Sequence, residues 1–170
     1  MRSSTAGFTL VELMIGLAIM AILTLLGFPS FTAWLQNLQI RNSAEAIQNG
    51  LTLARGEAVR RNTQVTFTMA GPDASWTVAV VNPAETVQSR SGSESTRNAQ
   101  IATTNATITF DGLGRTDLAA DATIQITNPT GGACGTGTTD MRCLNVTVAV
   151  GGQARMCDPQ VTTAGDTRRC

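Results

Sequence analysis

The hydrophobic residues of this 170-residue chain are concentrated in one run near its N-terminus. The run extends from Phe8 to Phe28, reads FTLVELMIGLAIMAILTLLGF, and contains a single charged residue, Glu12. At ~1.5 Å per residue, a helix over this run is roughly 31 Å long, which matches the hydrocarbon core of a bilayer. The pattern therefore predicts a membrane-spanning helix at 8–28.

The residues before this run, MRSSTAG, include Arg2 and no acidic residue. A basic flank favours a cytoplasmic N-terminus. A secretory signal peptide also begins with a basic segment, but its apolar core is usually ~7–15 residues long and ends at a small-x-small cleavage site. The run here is longer and no such site follows it, so the sequence favours an anchor.

Beyond Phe28 the chain predicts an amphipathic continuation of the helix at 29–62. Pro29 removes a backbone donor and crowds the preceding turn, which predicts a kink and not an end. We expect the helix to end near Asn62, where Arg60 and Arg61 complement the helix dipole. Small and apolar residues form one stripe suited to lying closely on a sheet. The stripe consists of Ala44, Ile47, Leu51, Ala54 and Ala58.

After residue 62 the hydrophobic period falls to two, which is typical of strands. The alternation predicts strands at 64–69, 76–80, 106–110, 123–127 and 144–150, and a last strand that runs through Met156. The polar, Ser/Thr-rich stretch 82–105 predicts a long exposed loop or a poorly ordered edge. The expected fold class is α+β, with a long N-terminal helix packed on an antiparallel β-sheet head at 63–170.

The composition narrows the range of functions. The chain has no His and no Lys, and its 12 Arg balance its 12 acidic residues. Lack of His removes Ser-His-Asp catalysis and most zinc sites, and lack of Lys removes Schiff-base chemistry. A formal net charge of zero argues against a protein that coats nucleic acid by bulk charge. We therefore expect no enzymatic activity, no catalytic residues, no cofactor and no metal site.

The segment Gly7-Phe8-Thr9-Leu10-Val11-Glu12 resembles the type IV prepilin signal. In that family a cytoplasm-facing peptidase cuts after the glycine and methylates the new N-terminal phenylalanine. The resemblance implies a cleaved leader at 1–7, a methylated Phe8 and prepilin peptidase as a partner. A carboxylate costs about 2.5–3.5 kcal/mol at a bilayer centre. We expect a neighbouring subunit's amine to neutralise Glu12, which makes Glu12 an assembly contact.

Three further stretches, 53–62 (LARGEAVRRN), 108–111 (ITFD) and 114–115 (GR), narrow the resemblance to the FimT/GspH group of minor pilins and pseudopilins. Members of this group lie at or near the filament tip, in type IV pili or in the type II secretion pseudopilus. The resemblance implies a single-pass inner-membrane protein with a periplasmic head, later incorporated in a filament. Its partners would be other minor pilins and the major pilin, or pseudopilins. The Cys157-Asp158-Pro159 segment favours the pilus, and the secretion machine is the alternative.

All four cysteines lie in the expected periplasmic head, where disulfides form. No CxxC pair or His accompanies them, so a zinc site has little support. With a turn at 151–152, Cys157 would lie opposite Val146 or Thr147, roughly 10–13 Å along the strand from Cys143 and too far for a bond. The favoured pairs are the local ones, Cys134–Cys143 and Cys157–Cys170. The crossed pairing, Cys134–Cys157 with Cys143–Cys170, is the alternative.

A second function class is DNA capture. Some FimT-like minor pilins bind DNA through a Gly-Arg-x-Arg motif just before a Cys-Asp-Pro-like end. The matching stretch here, 152–159, reads GQARMCDP, so Gln153 replaces the first arginine of the motif. This substitution removes half of the motif's charge.

The hairpin register bears on the remaining arginines. A three-residue loop at 151–153 would set Val148 opposite Met156 and turn Arg155 outward. Arg168 and Arg169 would then lie near Arg155 in the disulfide loop, while Asp158 and Asp166 offset part of their charge. The sequence therefore leaves two interpretations, a DNA-binding group of Arg155, Arg168 and Arg169, or solvated arginines on a disulfide loop.

Overall fold

The structure is a computed structural model that describes residues 7–94, 96–135 and 141–170. These residues form one long helix, α1 (Leu10–Arg61), and two short 3₁₀ turns at Gly92–Glu94 and Pro129–Gly131. The strands within the described ranges are β1 (Val65–Met69), β2 (Trp76–Val80), β3 (Glu85–Arg90), β4 (Gln100–Thr103), β5 (Thr107–Phe110), β6 (Ala122–Thr127), β7 (Leu144–Val148) and β8 (Ala154–Cys157).

Helix α1 runs without interruption for 52 residues, a length of about 78 Å. It includes Pro29, and the kink expected there stays a prediction. Its C-cap is Asn62, in the left-handed conformation with a φ of 50°, and the Asn62 N–H donates to the carbonyls of Ala58 and Val59. The helix therefore ends where the sequence predicted.

The two halves of α1 have different surroundings. Among the described side chains, the first buried one along the helix is Ala33, and the predicted stripe from Ala44 to Ala58 is fully buried. The large apolar side chains described from Phe8 to Phe28 are all at least 54% exposed. The second half of the helix is thus part of the head's core, while the first half extends away from it.

Within the described part of the chain, no helix combines the length and the apolar character that crossing a membrane requires.

The head consists of two four-stranded antiparallel sheets, with strand orders β3-β2-β1-β5 and β4-β6-β7-β8. Strand β1 reads VTFTM and β2 reads WTVAV, and in both strands alternate residues are buried. Side chains from both sheets meet the buried face of α1 in one hydrophobic core, which includes Phe67, Phe110, Ile124 and Val146. The α+β prediction of a long helix on an antiparallel β head is confirmed.

The long exposed loop predicted at 82–105 is wrong, because this stretch contains β3 and β4, whereas the alternative of an edge agrees with the position of β3 in its sheet. Strand β3 is an edge strand that pairs only with β2 and has no buried residue. Its one apolar residue, Val87, is partly buried against the core, and a single such residue gives no period-two signal. Strand β4 has four residues and one buried side chain, Ile101, which is too short a pattern to recognise.

The predicted register of the last hairpin is also wrong. Val148 lies opposite Ala154, Val146 opposite Met156, and Cys157 opposite Asn145. The cause is a loop of five residues, 149–153, closed by hydrogen bonds from the Ala149 N–H to the Gln153 carbonyl (2.9 Å) and from the Gly152 N–H to the Ala149 carbonyl (2.8 Å). Arg155 is nevertheless exposed, as predicted.

Gly50 marks the closest approach of the helix to a sheet. A Cβ atom at this position would lie 2.7 Å from Phe67 Cε2 and 3.0 Å from Trp76 Cε2. By contrast, a Cβ atom at Gly56, on the same helix, would meet nothing within 4 Å. The helix therefore needs a glycine at one of these positions and not at the other.

We expect Gly50→Ala to lower the free energy of unfolding by about 1–3 kcal/mol, because the aromatic rings of the core must shift to admit a methyl group. Gly56→Ala is the matched control and should raise that free energy by roughly 0.5–1 kcal/mol through helix propensity. Urea denaturation of the full chain in detergent measures both effects. A stabilised Gly50→Ala variant would contradict the close approach.

Candidate assembly site and C-terminal arginines

The helix begins at a capping box formed by Thr9 and Glu12. Thr9 is the N-cap residue, and its Oγ1 accepts a hydrogen bond from the Glu12 N–H at 3.3 Å. In return, Glu12 Oε2 accepts from the Thr9 N–H at 3.5 Å. This reciprocal pair satisfies two backbone donors that the first turn would otherwise leave free.

The capping box changes the expected environment of Glu12. The sequence predicted a carboxylate without a partner until assembly, whereas Glu12 Oε2 also accepts from the Thr9 hydroxyl at 3.4 Å. The negative charge lies in the first turn, where it complements the helix dipole. The carboxylate is thus held close to the start of the helix, next to Gly7 and Phe8. Residues 1–6 of the predicted leader lie outside the described residues.

Phe8 is 84% exposed and begins the apolar surface of the projecting half of α1. No contact within the head covers this surface, because the buried face of the helix begins only at Ala33. Exposed apolar area on this scale marks a surface that contacts lipid or other proteins. The first half of α1, together with Glu12, is the candidate assembly site.

The stretches that carried the family resemblance meet at the far end of the helix. Arg55 Nε donates to the Gly114 carbonyl at 3.1 Å. Gly152 has a φ of 82°, and a Cβ atom there would lie 1.9 Å from the same carbonyl oxygen. Only a residue without a side chain fits this position. The helix is therefore joined to the turn after β5 and to the β7–β8 loop at one point.

An ion-pair network joins the end of α1 to the edge strand β3. Arg60 and Arg61 both bond the Glu57 carboxylate, and Arg61 also bonds Glu85 on β3. Hydrogen bonds from Arg60 and then Arg61 lower the pKa of Glu57, and the bond from Arg61 lowers the pKa of Glu85. From the sequence, these arginines were expected only to complement the helix dipole. Their partner Glu85 was missed because it lay in the stretch interpreted as a loop.

Two disulfides connect Cys134 with Cys143 and Cys157 with Cys170, with Cα–Cα distances of 5.5 Å and 5.0 Å. These are the local pairs. The second bond closes the C-terminal loop 158–169, in which the Asp158 N–H donates to the Arg168 carbonyl at 2.7 Å. No group of three or more His, Cys, Asp or Glu residues within the described ranges is arranged to hold a metal ion.

The three arginines of the predicted DNA site differ in their partners, and DNA binding by them stays a prediction. Arg155 Nη2 donates to the Arg169 carbonyl at 3.2 Å, so these two residues are neighbours on the surface of the head. Arg168 bonds Asp166 through Nε and Nη2, at 3.1 and 2.7 Å. The side-chain bond from Arg168 lowers the pKa of Asp166 from 3.8 to about 2. The charge of Arg168 is therefore offset.

Arg168 also lines a surface cavity of about 390 Å³ between α1 and the C-terminal loop. Arg41 of the helix and Arg142, which precedes β7, line the same cavity. Arg142 Nη1 lies 3.4 Å from Asp158 Oδ2, and Arg41 Nε lies 2.8 Å from Glu45 Oε1. Each of the three cavity arginines thus has a carboxylate partner, although only one of these carboxylates, Asp158, itself lines the cavity.

Two protein-family models match the chain. The model of the type II transport protein GspH matches residues 43–152, and the model of the prokaryotic N-terminal methylation motif matches residues 2–28. The first match covers the buried half of α1 and most of the head, and the second covers the capping box and the exposed half of the helix. No curated protein matches the chain significantly.

Two crystal forms of the Pseudomonas aeruginosa type IV minor pilin FimU share the fold. One has a TM-score of 0.52 at 15% identity and covers 68% of this chain and 90% of that chain. The other has a TM-score of 0.54 at 16% identity and covers 69% and 87%. At this level of identity the likeness establishes the fold: a long helix packed on antiparallel sheets.

The carboxylates of the head predict how its stability depends on pH. The pKa values of Glu57, Glu85, Asp111 and Asp166 are all lowered in the folded protein. A carboxyl of this kind contributes stability above its unfolded pKa and loses the contribution as the pH falls through its folded pKa. We expect the free energy of unfolding to fall between about pH 4.5 and pH 2 and to be flat near pH 6.5, since the chain has no His.

Urea denaturation at a series of pH values measures this dependence. Asp166→Asn should reduce the fall below pH 4, whereas Asp73→Asn, at an exposed turn, serves as the control. A change in the free energy of unfolding centred near neutral pH would contradict the assignment of the pH dependence to these carboxyl groups.

Proposed function

Because the chain belongs to the GspH family of pilin-like proteins, we propose that it is a minor pilin of a type IV pilus, part of the filament tip or assembly-initiation complex. The observation that carries the proposal is the pairing of a GspH-type head with an N-terminal methylation motif on one continuous helix. The FimU fold supports the pilus over the secretion machine, since FimU is a type IV minor pilin. The matched families are structural, and we propose no catalytic role.

The processing of the chain follows from the same motif. Prepilin peptidase would cut between Gly7 and Phe8, remove the leader 1–7 and methylate Phe8. Phe8 and Gly7 are exposed ahead of the first helical turn, where a peptidase could reach the backbone. The leading residues 8–28 would then anchor the chain in the inner membrane, with the head in the periplasm. The apolar run with its single charge supports this location.

In the filament, Glu12 would pair with the methylated amine of a neighbouring subunit. The capping box holds the carboxylate at the N-terminal end of the helix, where such an amine would approach. Transfer from the capping bonds to a full positive charge would stabilise the packed helices, because a carboxylate in apolar surroundings requires a partner.

The alternative is a minor pseudopilin of type II secretion. The specific observation in its favour is that the matching family model is that of the type II transport protein GspH. DNA capture has less support, because Arg168 is paired with Asp166 and Gln153 stands where the motif has an arginine. Phosphate binding at physiological salt requires several unpaired basic contacts.

Deletion of the gene distinguishes the two machines. For a minor pilin, we expect loss of surface pili and of twitching motility, with protein secretion unchanged. Restoration by the wild-type chain, and failure of restoration by a chain lacking 8–28, are the controls. Loss of secretion with normal pili would reverse the assignment to the pseudopilin.

Glu12→Gln tests the assembly contact. Glutamine at the third helical position also supports a capping box, so the substitution removes the charge and keeps the local bonds. We expect the ratio of protein in sheared filaments to protein in the inner membrane to fall at least about tenfold, equivalent to about 1.4 kcal/mol. Mass spectrometry should still find a methylated Phe8, since the peptidase acts before assembly.

The matched control is Glu45→Gln, which neutralises an exposed carboxylate farther along the same helix. Its filament-to-membrane ratio should equal that of the wild type. An unchanged ratio for Glu12→Gln with normal processing would show that Glu12 is not an assembly contact.

A further inference from the structure

One face of α1 stays apolar beyond the end of the hydrophobic run at Phe28. Its side chains are large and at the helical spacings of three and four residues. Phe31 and Trp34 are 57% and 58% exposed, and Leu35 and Leu38 are 39% and 40% exposed. We refer to these four residues as the apolar collar.

The collar lies on the side of the helix that faces away from the head. Ala33 and Ile40 are buried in the head, and Asn37 Oδ1 accepts a hydrogen bond from the Arg142 N–H at 2.7 Å. At roughly 100° per residue, the collar is centred about 150° around the helix from these contacts. The collar is therefore not an unfinished part of the head's core, and its partner lies outside the described chain.

The residue types of the collar suit the boundary between lipid and water. The rings of Phe31 and Trp34 stack with their centroids 5.9 Å apart and an interplanar angle of 29°. Aromatic side chains, and Trp above all, are enriched at membrane interfaces, because an apolar ring system and an indole N–H are accommodated there together.

The position of the collar along the helix also indicates the boundary between lipid and water. At ~1.5 Å per residue, Phe31 lies about 35 Å from Phe8, Trp34 about 39 Å and Leu38 about 45 Å. A hydrocarbon core is ~30 Å thick, and the bilayer with its headgroups is ~40–45 Å thick. If the N-terminal end at Phe8 lies at the inner surface of the headgroups, the outer headgroup layer extends from roughly 35 Å to ~40–45 Å along the helix, which is where the collar lies. A tilt of ~20° changes these depths by only a few ångströms.

A basic residue lies directly beyond the collar along the helix. Arg41 lies one turn beyond Leu38, and its side chain is 67% exposed. Its Nε bonds Glu45 Oε1 at 2.8 Å, and on the head side Arg142 Nη1 lies 3.4 Å from Asp158 Oδ2. These ion pairs form a polar surface directly beyond the collar, so on this side of the helix the apolar surface ends at Leu38.

We propose that the apolar collar seats α1 in the outer headgroup region of the bilayer before assembly, so that the head rests directly on the membrane surface. The inference depends on the proposed membrane anchor at 8–28 and goes beyond it. The anchor alone fixes only that the helix is inserted, whereas the collar also fixes the height of the head above the bilayer. Entry into a filament then requires the collar to exchange lipid for protein neighbours.

Tryptophan fluorescence in vesicles tests the collar, because the chain has two tryptophans and Trp76 is only 4% exposed. The full chain is reconstituted, at less than one copy per vesicle, in phosphatidylethanolamine–phosphatidylglycerol vesicles. The lipids carry bromine near the carbonyl end or near the methyl end of the acyl chain. The signal of the wild type minus that of Trp34→Phe isolates Trp34 and leaves the core residue Trp76 in place.

The expected result is a loss of Trp34 fluorescence that is larger with shallow bromine than with deep bromine. The remaining Trp76 signal of Trp34→Phe is the internal control and should not change. An alkaline carbonate wash of the same vesicles reports the anchor separately, since an inserted chain stays with the lipid.

The outcomes separate the two hypotheses. A chain that resists carbonate but shows no quenching of Trp34 overturns the collar and leaves the anchor intact. If brominated lipid does not quench Trp34, and Trp34 is shielded from water only at many copies per vesicle, the collar contacts another helix. That result overturns the lipid contact. A chain that carbonate removes overturns the anchor, and the collar with it.

Discussion

The close contact between α1 and two separate sheets is the constraint on which the rest of the head depends. Neither four-stranded sheet has another layer of its own, and both bury their inner faces against the same side of one helix. The contact is close because the helix presents glycine and alanine there, at Gly50, Ala44, Ala54 and Ala58. Large side chains then come from the sheets, with Phe67 and Phe110 as the largest fully buried ones.

Because only the second half of α1 packs against the sheets, the two halves of the helix have different surfaces. The helix half that carries the head buries one face in the core, and Arg55, Arg61 and Asn37 join it to the rest of the head. The projecting half is apolar all around and makes no head contact. Folding of the head therefore does not consume the surface that would hold the chain in lipid or in a filament. The two tasks are separated along a single helix.

The sequence predicted features that depend on neighbours within a few residues. The buried stripe, the end of the helix at Asn62 and the strands with alternating burial all have local signals, and they are present in the structure. The Thr9–Glu12 capping box has a local signal as well, a threonine followed three residues later by glutamate, although the analysis considered only the charge of Glu12. Strand β3 could not be recognised, because Val87 is its only apolar residue and its ion pair with the helix, Arg61–Glu85, joins residues 24 positions apart.

Features that join distant parts of the chain were harder to predict from the sequence. The bond from Arg55 to the Gly114 carbonyl spans 59 residues, and nothing near either residue specifies the other. The hairpin register depended on whether its loop has three or five residues, and glycines permit both lengths. The prediction therefore placed Met156 opposite Val148, whereas its cross-strand partner in the structure is Val146. By contrast, Arg168 and Asp166 are only two residues apart, and the charge offset expected from the sequence is present as an ion pair.

The Cys157–Cys170 bond has a mechanical consequence. Both ends of the loop 158–169 meet at this bond, and Cys157 is the last residue of strand β8. A pulling force applied anywhere on the loop therefore enters the head at one covalent point. It is then shared along the row of hydrogen bonds between β8 and β7. Force along the strands would load this row of hydrogen bonds in shear, and the disulfide keeps the loop attached to the end of β8.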